Sequence, residues 1–425
     1  MPDTVLKQAA LSFYDLIWRV FIPALTLNQR LADGFQQRTL RQGIPSADLW
    51  IQAASAGEAH LTLLLLKALD PPCPIRVLVT SNTKQGLDIL RAGVDETSVN
   101  QSRLHLSTVY FPFDRPTIMR KATSKIRPRV MVLIESEIWP GLLNSLKNYG
   151  CKTVVLNGRI TEKSLARYLV WPSFWRSLAP DRILAISWDD GKRFGRLFGD
   201  DCVKVMSNMK FDRITNQSPD LGRTGALGKI VEPGTSLLVL GSIREEEESL
   251  LKRLIRNVLQ RRPETVIGVF PRHMHRVEYW KNTLDCLSVS WMLRSECRGQ
   301  VSPGGAILWD VFGELPHAYS LSTAAFVGGS LAPLGGQNFL EALTCGVSPV
   351  IGPSWENFHW VGQKIVEQGL VRVATDWKEA ADLLVQDLKQ PRSHGGVREA
   401  VLQYVKSRQG GTHYACEVIE DLLSQ

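Results

Sequence analysis

The chain lacks any run of Lys and Arg of the kind that forms a nucleic-acid-binding tail. Yet 50 basic residues stand against 42 acidic ones, giving a net charge of +8 and a pI near 9.1. That excess calls for an anionic partner, and its scatter through both halves favours a nucleotide or a lipid surface over DNA or RNA. The seven cysteines (73, 151, 202, 286, 297, 345 and 416) show neither CxxC pairs nor framework spacing. A disulfide scaffold and a zinc ribbon are thereby excluded, and reduced thiols in a cytosolic compartment are expected. Also missing are a strand-placed GxGxxG, a GxxxxGK[ST], an HExxH and a GxSxG elbow, which removes dehydrogenases, P-loop NTPases, zincins and serine hydrolases from first place. No tandem repeat, coiled coil or low-complexity segment is present. What remains is a 425-residue chain, 44% hydrophobic and 22% charged, long enough for two globular domains with separate cores.

The N-terminus is apolar from Leu11 to Leu25, interrupted by Asp15 and Arg19, with Pro23 placed to end or kink a helix. It reads as too short and too charged to span a bilayer, and it lacks a signal peptide's basic start and cleavage site. Leu11, Tyr14, Trp18, Phe21 and Leu25 follow helical spacing, and Lys7, Arg19, Arg30, Arg38 and Arg41 flank them. This suits a helix lying on an anionic membrane surface or one packed on the domain that follows, and the two are compatible.

Strand-like and helix-like runs then alternate. Candidate strands are 49–53, 75–80, 130–134, 153–156 and 183–186, then 236–240, 266–270, 306–308, 324–327 and 349–351. They are continuous apolar runs, as in parallel sheets buried on both faces. Between the two arrays, 213–234 loses apolar periodicity and reads as a linker. The expectation is an α/β chain of two doubly wound, Rossmann-like domains facing across a cleft. Its divisions are a helix over 1–28, a first domain over 29–212, a second over 235–405 and a closing helix over 406–425.

Ligands of such domains bind beyond the carboxyl ends of the strands. After 49–53 comes Ser55-Ala56-Gly57-Glu58, which puts Glu58 at a helix start, either as a general base or as a partner of the helix dipole. The dipole is expected to lower its pKa. After 130–134 comes Glu135-Ser136-Glu137-Ile138-Trp139-Pro140, two carboxylates that bind sugar hydroxyls or anchor a basic residue such as Arg159.

In the second half, Gly241 and Ser242 follow one strand, and Arg272 and His273 follow the next, with Arg272 suited to phosphate. His273-Met274-His275 lacks a third metal ligand, and no metal site is assigned. The run Glu245 to Glu248 reads as a solvated first helical turn. Asp310 to Leu315, with Gly313 and Glu314, forms a turn where a base or ribose rests. After 324–327, Gly328-Gly329-Ser330 leads to Gly335-Gly336-Gln337-Asn338-Phe339-Leu340-Glu341. Two adjacent glycines leave backbone N–H groups open to a phosphate, the helix starting near Asn338 adds its dipole, and Glu341 is placed for the ribose.

Taken in order, these residues resemble the Kdo (3-deoxy-D-manno-octulosonic acid) transferases of lipopolysaccharide synthesis, a GT-B glycosyltransferase family. Ser55-Ala56-Gly57-Glu58 is similar to the family's S-V-G-E, and Glu135 to Pro140 to its E-T-E-L-W-P. Asn157-Gly158-Arg159, Met209-Lys210-Phe211-Asp212, Pro271-Arg272-His273, Gly313-Glu314-Leu315, Phe326 to Ser330, Gly335 to Glu341, Gly352-Pro353 and Asn357-Phe358 follow in family order, over roughly residues 10 to 365. Gln337 stands where the family usually has His and Ala342 where it has Pro, and the loop from Thr80 to Gly86 departs from the family's Thr-Pro-Thr-Gly. The resemblance implies Glu58 as catalytic base and CMP-Kdo as donor. It implies a lipid A precursor as acceptor, inversion at the anomeric carbon, and neither cofactor nor metal. It places the enzyme on the cytoplasmic face of the inner membrane. The alternatives are another GT-B enzyme with a different nucleotide sugar, such as a UDP-sugar epimerase, or an inactive membrane-peripheral binding protein on this fold.

Overall fold

The computed structural model describes residues 2–100, 103–214, 226–231, 234–297 and 299–425. It divides into two compact units, 1–214 with 408–425, and 215–407. The segment assigned as a linker, 213–234, falls largely outside the described residues.

The first unit is a parallel seven-stranded sheet in the order β3-β2-β1-β4-β5-β6-β7. Its strands are Leu49–Ala53 (β1), Ile75–Ser81 (β2), Leu104–Tyr110 (β3), Val130–Ile134 (β4), Lys152–Gly158 (β5), Arg182–Ala185 (β6) and Val203–Val205 (β7). Alternate residues of one strand serve opposite faces. Leu49, Ile51, Val130, Val132 and Ile134 pack with helix Ala56–Ala68 and with Ala415, Cys416 and Ile419 of the C-terminal helix Gly411–Ser424. Trp50, Met131 and Leu133 pack with Met119, Leu142 and Phe194 on the other face. The C-terminal helix thus completes the core of the first unit. Asp212 secures its start, accepting from Gly410 N at 2.8 Å, Thr412 N at 2.6 Å and Thr412 Oγ1 at 2.7 Å.

The second unit has the parallel order β10-β11-β9-β8-β12-β13-β14. Its strands are Leu237–Ile243 (β8), Val266–Pro271 (β9), Trp291–Leu293 (β10), Ala306–Leu308 (β11), Ala324–Val327 (β12), Val350–Ile351 (β13) and Arg372–Val373 (β14). Leu238, Leu240, Ile267, Val269 and Phe326 meet Leu251, Leu254, Trp280 and Leu384 from the covering helices. Strand order reverses between β1 and β4 in the first unit and between β8 and β12 in the second. In doubly wound sheets, crevices form at such points.

The N-terminal helix differs from the expectation. It runs from Pro2 to Phe21 and continues as a 3-10 turn, Ile22–Leu27, so Val5–Leu27 is long and apolar enough to cross a membrane. Its first turns, before Leu11, are mixed in polarity, so the continuous apolar stretch in the sequence is shorter than the helix. One face of the helix packs on the first unit. Tyr14 Oη donates to Asp114 at 3.1 Å, Asp15 pairs with Arg115 at 2.9 Å, and the Trp18 and Phe113 rings lie 5.7 Å apart. Val5, Leu6, Phe13, Leu16, Val20 and Phe21 are exposed on the other side. Arg38, expected among the basic flanks of a membrane helix, is instead buried. Its guanidinium donates to Asn82 O at 2.6 Å and Asp33 O at 3.0 Å and lies over the Tyr110 ring.

Candidate active site

The end of β1 and the start of helix 56–68 position Glu58. Ser55 is the N-cap, its Oγ accepting from Glu58 N at 3.3 Å. The carboxylate folds back on the same turn. Ala54 N donates to Oε2 at 2.7 Å and Ser55 Oγ to Oε1 at 2.8 Å. A carboxylate has about four acceptor positions, so the contacts made here leave room for an incoming hydroxyl. Glu58 is only 9% exposed. Its carboxyl is pushed up to about 7, first by burial and then by the negative charges of Glu137 and Glu135, against the two hydrogen bonds that favour ionisation. The expected lowering by the helix dipole is therefore overturned, because desolvation and two like charges outweigh a helix terminus.

Glu137 arrives from the loop after β4, the strand on the far side of the switch point. Its Oε2 accepts from Trp139 Nε1 at 2.7 Å, Gln52 Nε2 at 3.4 Å and Asn82 Nδ2 at 3.5 Å, and burial raises its pKa. Gln52 points from the middle of the sheet, and its Oε1 accepts from Thr80 Oγ1 at 2.6 Å. Glu135 adopts the left-handed conformation, φ 61°, and pairs with Lys210 Nζ at 2.6 Å. The cation on this loop is thus Lys210 rather than the expected Arg159, which offers its carbonyl to Ser136 Oγ. Lys210 lies in a motif that carries the family resemblance, but its role was invisible because β7 and the turn after it bring it back beside β5. Gln52 and Asn82 were missed for a related reason. Single polar residues at the end of apolar strands show no spacing signal.

In the second unit, the residues singled out in the sequence follow β9, β11 and β12, except that β8 runs on to Ile243 and so contains Gly241 and Ser242, which were expected after it. β8 is bulged near Gly241, where Ser242 takes φ 54°. Arg272, exposed after β9, is anchored through its N–H to Ile243 O at 2.8 Å. Its charge partly offsets the upward pull of burial on Glu341, which also accepts from Asn338 Nδ2 at 3.1 Å. Asn338 Oδ1 in turn accepts from Leu340 N at the start of helix Leu340–Thr344. Arg272, Asn338 and Glu341 therefore form one electrostatic group. The rings of His273 and His275 stack 5.6 Å apart, with no metal-binding cluster among the described residues.

Three expectations for this unit fail. The N–H groups of Gly335, Gly336 and Gln337 point into the protein, to Ser354 Oγ at 2.8 Å, Gly329 O at 2.8 Å and Gly328 O at 3.1 Å. Both glycines are buried with φ near 80°, and a Cβ on Gly335 would lie 2.5 Å from Asn357 Nδ2. They permit close packing rather than an open phosphate cradle. Glu314 is held by Arg294 at 2.7 and 2.9 Å and by Trp309 Nε1 at 2.9 Å, which makes it the brace of its loop. Of the acidic run, Glu245 and Glu246 are solvated, but Glu247 and Glu248 are buried. Glu247 accepts from the N–H groups of Arg244, Gly329, Ser330 and Leu331, and Glu248 pairs with Arg276.

Two doubly wound parallel sheets, each with its strand order reversing beside its first strand, are the GT-B fold. A glycosyltransferase from Rickettsia africae has the same fold, with a TM-score of 0.56 and 11% identity over 88% of this chain and 98% of that one. The family model for 3-deoxy-D-manno-octulosonic-acid transferase matches residues 26–213. A 3-deoxy-D-manno-octulosonic acid transferase of Bordetella pertussis is 28% identical over 96% of this chain and 92% of its own. One from Haemophilus influenzae is 26% identical over 81% and 80%. The chain is thus similar to Kdo transferases over most of its length.

Proposed function

We propose that the protein transfers Kdo from CMP-Kdo to a hydroxyl of a lipid A precursor during lipopolysaccharide synthesis, with inversion at the anomeric carbon. The observation that carries this reading is Glu58, a buried carboxylate at the start of helix 56–68 raised to about 7 by burial and by the charges of Glu137 and Glu135. A base with that pKa is half ionised near neutral pH and still strong enough to accept a proton. It takes the proton of the acceptor hydroxyl while that oxygen bonds to the anomeric carbon of Kdo. The bond from that carbon to the CMP phosphate breaks, and CMP leaves with the electron pair. In the second unit, Arg272 offers charge to the departing phosphate and Glu341 holds the ribose, with Gly241, Ser242, His273 and Asn338 lining the same strand ends. The Gly335-Gly336 turn supports this group through its packing.

The N-terminal helix, apolar on its exposed side, supports work at the surface of the cytoplasmic membrane, where a lipid acceptor resides. The test is release of CMP from freshly made CMP-Kdo in the presence of tetraacylated lipid A precursor, with wild type compared to Glu58→Ala. Acceptor-dependent release that is lost in the variant while CMP still binds supports both the reaction and the base. Release unchanged by the substitution removes Glu58 from the mechanism. A folded, CMP-binding wild type that releases nothing overturns the acceptor.

A further inference from the structure

The segment after β3, Phe111 to Arg115, touches two parts of the first unit at once. On one side Phe113 lies against Trp18, Asp114 accepts from Tyr14 Oη, and Arg115 pairs with Asp15, all on the N-terminal helix. On the other, Asp114 accepts from Gly141 N at 3.0 Å and Leu142 N at 2.6 Å, the first turn of helix Pro140–Tyr149, while the Phe111 ring sits 6.2 Å from that of Trp139. Trp139 precedes that helix, and its Nε1 holds Glu137. A continuous set of contacts therefore runs from Tyr14 through Asp114 and the turn at 139–142 to the carboxylate whose charge bears on Glu58.

We propose that Asp114 is a positioning residue for the reaction, setting where Glu137 stands beside Glu58 according to how the N-terminal helix is seated. The proposal rests on the reading of Glu58 as the base. Asp114 is 2% exposed, and a buried carboxylate is stable only while its donors stay in place. Three donors face it. Its working form is thus the ionised one, even though burial pushes the carboxyl up to about 7. The fit has little slack, because a Cβ on Gly141 would come within 2.4 Å of Asp114 O and 2.9 Å of its Oδ1. Movement of the N-terminal helix must either break the Tyr14 hydrogen bond or carry Asp114 with it, and Asp114 cannot move without the start of helix 140–149. Helix and base are thereby coupled through packed, hydrogen-bonded groups rather than through distance alone.

Three variants of the full-length protein test this: Tyr14→Phe, Asp114→Asn and Gly141→Ala. Each is read by the kcat and donor KM of CMP release and by the 13C NMR titration of the Glu58 carboxyl, assigned with Glu58→Gln. The groups that face Glu58 in that titration are Glu137 and Glu135, with Lys210 on the latter. Tyr14→Phe deletes one hydroxyl and keeps the fold, and a lost hydrogen bond of this kind lowers kcat about fivefold. Gly141→Ala wedges the turn, with a loss of up to about a hundredfold. Donor KM stays unchanged in both, and the Glu58 midpoint falls as Glu137 moves off. Asp114→Asn retains one accepting oxygen and is expected to fall between the wild type and Gly141→Ala. Unchanged kcat and an unchanged Glu58 midpoint in Tyr14→Phe and Asp114→Asn overturn the proposal. Full activity in Glu58→Gln overturns the base instead, and the NMR titration still decides whether Asp114 governs that carboxyl.

Discussion

The two units place a buried glutamate at the same topological point and treat it in opposite ways. Glu247, between β8 and β12, receives four backbone N–H groups, from Arg244, Gly329, Ser330 and Leu331. These amides form the kind of nest that binds anions, and the protein fills it with its own side chain. Glu58, beside β1 and β4, receives two donors and faces two like charges. Burial raises both carboxyls. Only Glu58 keeps open acceptor positions next to other acids. Architecture sets where a carboxylate stands; the number of donors around it sets whether it braces the fold or remains available to react.

The sharpest way to break that contrast is Glu58→Ala, expected to lower kcat by about 10² to 10⁴-fold, the range for loss of a general base, with CMP affinity intact. Equal losses from Glu247→Gln at unchanged thermal stability would dissolve the distinction. Next in size, Arg272→Ala should weaken CMP binding by about ten- to a hundredfold by calorimetry if Arg272 makes the proposed charge-assisted contact to phosphate. Glu341→Gln should reduce the preference for CMP over deoxy-CMP by about tenfold, as expected when a carboxylate no longer accepts from ribose hydroxyls. An unaltered preference would assign the ribose elsewhere.

The pH dependence follows from the raised carboxyl. In the proposed reaction Glu58 is a base only when ionised, so kcat should climb as pH rises through about 7 and level off above it. Its folded pKa exceeds that of an unfolded glutamate. The folded state therefore binds this proton more tightly, and the site contributes stability at acid pH that is lost between the ordinary value of 4.5 and about 7. The smallest expected effect is therefore on stability. Glu58→Gln should leave the unfolding free energy near that of the wild type at pH 4.5 and raise it at pH 8, on the order of 1–3 kcal/mol. A stabilisation that is the same at both values would show that the strain at Glu58 is not electrostatic.

Much of this is legible in the sequence. The strands recognised from continuous apolar runs are the inner strands of both sheets, where both faces are covered. Those missed are β3, β7, β10 and β14, the two edges of each sheet. β7 and β10 are short, with intermediate or exposed positions throughout, and β14 has two residues; β3 spans seven, but His105, Ser107 and Thr108 interrupt its apolar run on a half-covered edge. The same boundary runs through the sites. Glu58 and Glu137 could be placed after particular strands, but their environment could not. The glycines at 335 and 336 signalled an unusual backbone without revealing which way the N–H groups point.

By itself the sequence determined the alternation of strands and helices, the division into two arrays and the loops in which acidic and basic groups cluster. These are properties of local periodicity and of residue order. Only the tertiary structure decided that Glu58 is raised rather than lowered, that Lys210 and not Arg159 neutralises Glu135, and that Asp114 joins the N-terminal helix to the acidic loop. Each of these depends on burial and on charges brought together from separate strands. A pKa or an ion pair is set by neighbours in space, and chain order does not specify them.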